Sequence, residues 1–183
     1  DEKPFYLMIS HYALHVRNMS LKSTRAKYLE ILAERNGIVG GIPDISRFDD
    51  NALDMPKNLR AHWEKANYAA MVEDMDTSVG IVIDELEALG LADNTYVIFT
   101  SDNGGTNHTS NAPLRAGKCH LYEGGIRVPL IVRWPEKIKP GTSCSEIVSC
   151  TDFYPTILDL LDLPLLPDQH LDLSLIHISE PTR

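Results

Sequence analysis

Thr95-Tyr96-Val97-Ile98-Phe99-Thr100-Ser101-Asp102-Asn103-Gly104-Gly105 is the stretch on which the reading of this chain turns. Its first six residues are mostly β-branched or aromatic, the composition of a buried strand. The run then breaks into Ser, Asp, Asn, Gly and Gly, which favour turns. The sequence therefore predicts a strand over 95–100 whose carboxyl end presents a carboxylate and a carboxamide side by side. Hard cations such as Ca²⁺ and Mg²⁺ take oxygen donors of this kind. Asn103-Gly104 is equally a strong turn signal, and two donors do not complete a coordination shell.

Working back from that strand, apolar residues fall at Tyr68, Met71, Val72, Met75, Val79, Val82, Ile83, Leu86 and Leu89. Intervals of three and four predict one face of a long helix over 61–89, with Gly90 placed to cap it. Residues 18–60 are polar and weakly periodic, and predict a short helix near 24–34 followed by an irregular loop. Phe5-Tyr6-Leu7-Met8-Ile9 reads as a buried strand, with His11 and His15 following it. Working forward, 126–134 (IRVPLIVRW) predicts a second strand in this region. Thr151 and Asp152 are placed to cap a helix running to about 161. This alternation predicts a layered α/β domain with a mainly parallel sheet flanked by helices. Ligands in such folds lie outside the carboxyl ends of the strands, which puts His11, His15, Asp102 and Asn103 at one edge.

Composition narrows the function. The chain has 183 residues, 43% hydrophobic and 23% charged, ordinary for a globular domain. No apolar run approaches the roughly 20 residues of a membrane helix. A formal charge of −9 argues against a nucleic-acid binder, which shows a basic face. An acidic protein acting on an anion needs a local basic pocket or a bound cation. Residues 111–127 (NAPLRAGKCHLYEGGIR) offer one: Arg115, Lys118 and Arg127 gather there, with Gly117, Gly124 and Gly125 permitting close backbone approach. Solvated surface charge is the plainer alternative. Cys119, Cys144 and Cys150 are too few for a disulfide scaffold, although a Cys144–Cys150 pair has workable spacing. The chain opens on Asp1-Glu2-Lys3-Pro4 and passes at once into an apolar strand, without an initiator Met or a signal peptide. An internal piece of a longer protein is the expectation.

Together these segments resemble the sulfatase family of the alkaline phosphatase superfamily, over most of the chain. Pro4-Phe5-Tyr6-Leu7 with Ala13-Leu14-His15 is similar to the family's strand ending in a histidine, with Leu14 where the family usually has Pro. Residues 68–80 are similar to the family's helix before its metal-binding strand. Val97-Ile98-Phe99-Thr100-Ser101-Asp102-Asn103-Gly104 is close to one signature. Leu114-Arg115-Ala116-Gly117-Lys118 with Tyr122-Glu123-Gly124-Gly125-Ile126-Arg127-Val128-Pro129 is close to a second, and Thr151-Asp152 with Pro155-Thr156 to a helix start.

The resemblance implies an alkaline-phosphatase-like fold and hydrolysis of sulfate esters, those of sulfated carbohydrates in particular. It implies Asp102 and Asn103 as ligands of Ca²⁺, with Mg²⁺ the second choice. Lys118 and His15 would act on the sulfate, and Arg115 and His11 would contact substrate. No nucleic-acid or membrane partner is implied. Periplasmic, extracellular or lysosomal residence is expected for the whole protein. The family's nucleophile, a formylglycine made from Cys or Ser in Cys/Ser-x-Pro-x-Arg, begins at none of the three cysteines here. Residues 1–172 are therefore expected to be part of a catalytic domain lacking its N-terminal portion, inactive alone. Residues 173–183 (LSLIHISEPTR) resemble translated sequencing-adaptor read-through and are expected to be a non-native tail. A phosphoester or phosphonate hydrolase of the same superfamily, or a binding protein that keeps the fold without the nucleophile, are the competing readings.

Overall fold

A computed structural model describes residues 3–15, 19–36, 55–106, 109–166 and 168. They fall into two compact units, Asp1–Ala88 with Ser101–Val128, and Leu89–Thr100 with Pro129–Arg183. The irregular loop expected within 37–54 and the tail at 173–183 lie outside the described residues.

The first unit is built on two helices, α1 (Lys22–Arg35) and α2 (Lys57–Ala88), close to the two predicted. Their contacts run in opposite directions along the chain, so the helices are antiparallel. Asp74 takes the N-terminal end of α1, accepting from the Leu21 amide at 2.8 Å and the Thr24 hydroxyl at 2.7 Å. The helix's own preceding residue, Leu21, has no side-chain oxygen to cap it. One turn on, the Lys27 ammonium meets the Glu73 carboxylate at 2.7 Å. That contact holds the Glu73 carboxyl below its usual range, with the Tyr28 hydroxyl helping, and raises Lys27. Deeper in the pair, Trp63 and Met55 are buried with Leu29 and Leu59 packed against them. The Arg25 guanidinium lies 5.2 Å from the centre of the Trp63 ring.

The core face of α2 differs from the face that apolar spacing predicts. Trp63, Ala66, Asn67, Ala70 and Met71 are the residues buried in its N-terminal half. They share one face by three- and four-residue spacing, and a wholly buried asparagine stands at its centre. Asn67 Oδ1 accepts from the Ser20 amide at 3.1 Å and the Ser20 hydroxyl at 2.6 Å. Arg25 Nη1 also faces it, at 3.4 Å. Small alanines beside it let α1 approach closely, and a buried carboxamide is tolerated because it is bonded. On the predicted apolar face Met71 and Leu86 are buried, while Val72 and Leu89 are exposed. Gly90 adopts φ +69°, the left-handed conformation of a helix-ending glycine.

The second unit holds a two-stranded sheet of β1 (Val97–Thr100) and β2 (Leu130–Arg133), with Val97 opposite Arg133 and Thr100 opposite Leu130. The pair is antiparallel, which corrects the expectation of a mainly parallel arrangement for the described strands. A parallel pair needs a crossover of a dozen or more residues, usually a helix on one face. The connection here, residues 101–129, is long enough, but among its described residues the one helix is the single turn α3 (Glu123–Ile126). Tyr96 and Trp134 close one end of the pair edge to face, with centroids 5.7 Å apart. The chain then enters a 3₁₀ turn (Cys150–Asp152) and α4 (Phe153–Leu160). Asp152 stands before α4 as predicted, but the side-chain cap begins two residues before Thr151, at Ser149. Ser149 and Asp152 form the reciprocal pair, the Ser149 amide donating to Asp152 Oδ2 at 2.8 Å, and Thr151 turns its hydroxyl to Ser149.

Two further expectations are corrected. Residues 5–9 form no strand and are exposed, Tyr6 to 73% and Met8 to 72%. Apolar β-branched composition predicts a strand only where a neighbour pairs its backbone, and no such neighbour stands among the described residues. Cys119, Cys144 and Cys150 are free, exposed thiols, so the Cys144–Cys150 bridge is not made. No helix among the described residues is long and apolar enough to cross a membrane.

Candidate functional site

All six sequence-derived site residues belong to the first unit: His11, His15, Asp102, Asn103, Arg115 and Lys118. Four of them are brought together by two loops, 101–106 and 115–125, that interlock largely through backbone. The Gly104 amide donates to Gly125 O at 2.9 Å, and the Lys118 amide to Gly105 O at 3.0 Å. The Gly124 amide donates to Arg115 O at 2.8 Å. Glycine is required at these crossings. A Cβ on Gly104 would enter the carbonyl of Gly124, one on Gly117 would enter the carbonyl of Gly105, and one on Gly125 would enter the carbonyl of His120. The sequence flags Gly117, Gly124 and Gly125 as permitting close approach. What they approach is each other's strands of backbone and the Gly104-Gly105 pair.

Asp102 is exposed and Asn103 half-buried. The loop is shaped by Ser101, whose hydroxyl donates to Asn103 O at 3.1 Å, so the turn and the donor pair coexist in one segment. Asp102 has no ion pair among the described residues. Two adjacent, uncommitted oxygen donors fit a hard cation, which takes six to eight such ligands. No cluster of three or more His, Cys, Asp or Glu able to hold a metal occurs among the described residues. Alone, these two side chains would make only part of a coordination shell.

Lys118 is half-buried and lies between two residues in the left-handed region that flank it closely, Ala116 at φ +62° and Cys119 at φ +72°. L-residues pay of order 1–2 kcal/mol there. Arg115 stacks on Tyr122, its Cζ 3.8 Å from the ring centroid. Tyr122 has no role in the sequence reading, although its spacing from Arg115 is visible there. Arg127 bonds Glu123 at 3.3 Å, which removes it from the cationic pocket expected of all three basic residues. Arg115 and Lys118 keep theirs: neither has an ion pair among the described residues.

The histidines are not drawn to these loops by any described contact. The His15 amide donates to Tyr12 O at 2.9 Å, and the His15 ring lies 5.6 Å from the Tyr12 ring. Both His11 and His15 are exposed.

The sulfatase family model matches residues 1–163. A sulfatase of Formosa agariphila is 36% identical over 169 residues, covering 87% of this chain and 26% of that protein. The steryl-sulfatase of Rattus norvegicus is 44% identical over 115 residues, 57% of this chain and 20% of its own length. The crystal structure of Ps i-CgsB in complex with k-i-k-neocarrahexaose superimposes with TM-score 0.66 at 30% identity, covering 88% of this chain and 30% of that one. The structure of BT4656 in complex with its substrate D-glucosamine-2-N,6-O-disulfate gives TM-score 0.50 at 28% identity, over 79% of this chain and 26% of that one. The chain thus spans about a quarter of the length of the curated relatives it matches.

Proposed function

Because this chain belongs to the sulfatase family, we propose that its two interlocked loops form part of the active site of a sulfate-ester hydrolase whose substrates are sulfated carbohydrates. The observation that carries the reading is the bond from the Lys118 amide to Gly105 O. It fixes a cationic side chain's backbone two residues from the oxygen pair of Asp102 and Asn103. Cleaving a sulfate ester develops negative charge on the departing oxygen and keeps it on the non-bridging oxygens, so a site must present fixed positive charge to both. Lys118 would hold the sulfate. Arg115, steadied by Tyr122, would hold a second anionic or hydroxyl group of the sugar through its free guanidinium edge. Asp102 and Asn103 would hold Ca²⁺, which when bound supplies charge stabilisation at the sulfate oxygens. His15 would serve as a proton donor to the leaving alcohol and His11 as a substrate contact. The formylglycine nucleophile would come from outside this chain. The whole protein is proposed to work in the periplasm, outside the cell or in the lysosome. Neighbours in complex with k-i-k-neocarrahexaose and with D-glucosamine-2-N,6-O-disulfate support a sulfated carbohydrate over a phosphoester.

The test is a titration of the 183-residue chain, followed at the backbone amides by NMR. Ca²⁺ is expected to move residues 102–104, an effect lost in Asp102→Ala. Inorganic sulfate is expected to move 115–119, an effect lost in Lys118→Ala. A wild-type chain silent to both ions overturns the reading. Aryl-sulfate turnover by the purified chain is expected to be nil, and measurable turnover would mean that a nucleophile lies within it.

A further inference from the structure

Asn111 opens the stretch that the sequence singles out for its charge, yet it carries none and receives no role there. Its carboxamide binds both loops. Oδ1 accepts from the Gly105 amide at 3.0 Å. Nδ2 donates to Gly105 O at 3.0 Å and to Ala116 O at 3.2 Å. It therefore pairs with both backbone groups of Gly105 as a neighbouring strand would, while its second amide hydrogen reaches the loop that carries Lys118. Gly105 O takes a further bond from the Lys118 amide at 3.0 Å. One carbonyl is thus the anchor shared by Asn111 and Lys118. The three hydrogen bonds use an acceptor and two donors, which only a carboxamide offers from a single planar group. Asn111 is half-buried, and a Cβ on either Gly105 or Gly117 would collide with its side chain.

We infer that Asn111 is a positioning residue, a clasp that sets the Asp102-Asn103 oxygen pair and Lys118 at a fixed separation, so that a cation on the pair and the Lys118 ammonium face one anion. The inference rests on the reading of Lys118 as the sulfate-binding group, and its test separates the two. Asn111→Ala deletes all three bonds without adding charge. Asn111→Asp keeps the acceptor for the Gly105 amide and replaces both donors. In the 183-residue chain, amide exchange is measured at Gly105, Lys118 and, as a control for folding, Ala66, Ala70 and Met71 of α2. Inorganic sulfate is titrated against each protein.

The clasp predicts that Asn111→Asp leaves Gly105 protected but speeds exchange at Lys118 at least tenfold, with α2 unchanged. It predicts that Asn111→Ala speeds exchange at both sites and weakens sulfate binding at least tenfold. Unchanged Lys118 exchange in both variants overturns it, as does undiminished sulfate binding by Asn111→Ala where the wild-type chain binds sulfate. Loss of α2 protection in both variants makes Asn111 a general determinant of the fold and also overturns it. If the exchange pattern appears but the wild-type chain binds no sulfate, the clasp stands and the reading of Lys118 falls.

Discussion

Adding one methyl group to α2 and the same methyl group to the interlocked loops is expected to change stability in opposite directions. Gly80 lies within α2 with nothing within 4 Å of where its Cβ would stand. Gly80→Ala therefore removes backbone freedom from the unfolded chain without a collision, and is expected to stabilise α2 by about 0.5–1 kcal/mol. Gly124 is the opposite case. Its Cβ would sit inside the Ala116 carbonyl and 2.6 Å from Arg115 O. Normal contact requires the 115–116 backbone to retreat by roughly an ångström. That retreat breaks the Gly124 amide bond to Arg115 O, and it drags Lys118 from Gly105 O and Gly104 from Gly125 O. At about 1 kcal/mol net for each of three bonds, Gly124→Ala is expected to cost about 3 kcal/mol. Native-state amide exchange is the direct assay because it reads each segment separately. A loss of this size speeds exchange at Lys118 and Gly104 by about 100-fold, while Gly80→Ala slows it along α2. Exchange at Lys118 within threefold of wild type in Gly124→Ala would refute the claim that the loops are packed backbone on backbone. Destabilisation by Gly80→Ala would refute the claim of open space beside α2.

Three further substitutions probe strain and burial. Ala116→Gly and Cys119→Gly relieve left-handed backbone at φ +62° and +72°, and each is expected to raise local stability by about 0.5–1 kcal/mol after the added freedom of the unfolded chain is subtracted; unchanged or reduced protection at Lys118 would count against the strain. Tyr96 buries its hydroxyl without a partner, and burial raises its pKa. Tyr96→Phe is therefore expected to be neutral or stabilising by up to about 1 kcal/mol in urea denaturation. Because the folded hydroxyl ionises at higher pH than the unfolded one, wild-type stability falls as pH rises beyond the ordinary tyrosine range; the variant should lose part of that slope.

The helices were legible because their signal is local and repeated. Three- and four-residue spacing predicts 61–89 where α2 runs Lys57–Ala88, and the polar segment around 24–34 contains α1 (Lys22–Arg35). The face that packs was not legible in the same way. Asn67 is polar, so periodicity assigns it to solvent, while its position between Ala66 and Ala70 makes it the bonded centre of the contact with α1. Strand direction failed for a related reason. Composition marks 95–100 and 126–134 as strands, but parallel or antiparallel pairing depends on the connection between them, and α3 is too short to be a crossover.

The candidate site shows where such reading stops. Residue types marked Asp102, Asn103 and Lys118 as chemistry, and glycine marked three of the crossing points. Nothing in residue type marks Asn111, because its contribution is the direction of one carboxamide plane across two loops. These loops have no apolar core to hold them: Gly104, Gly124 and Gly125 are the buried residues at the crossing. Packed backbone satisfies its amides and carbonyls against itself, and it leaves no rotamer freedom at the contact. Arg115 and Lys118 have no ion pair among the described residues, while the crossing is held largely by backbone atoms that every amino acid shares. Its specificity to sequence lies in the glycines that permit the crossing and in the one asparagine that locks it.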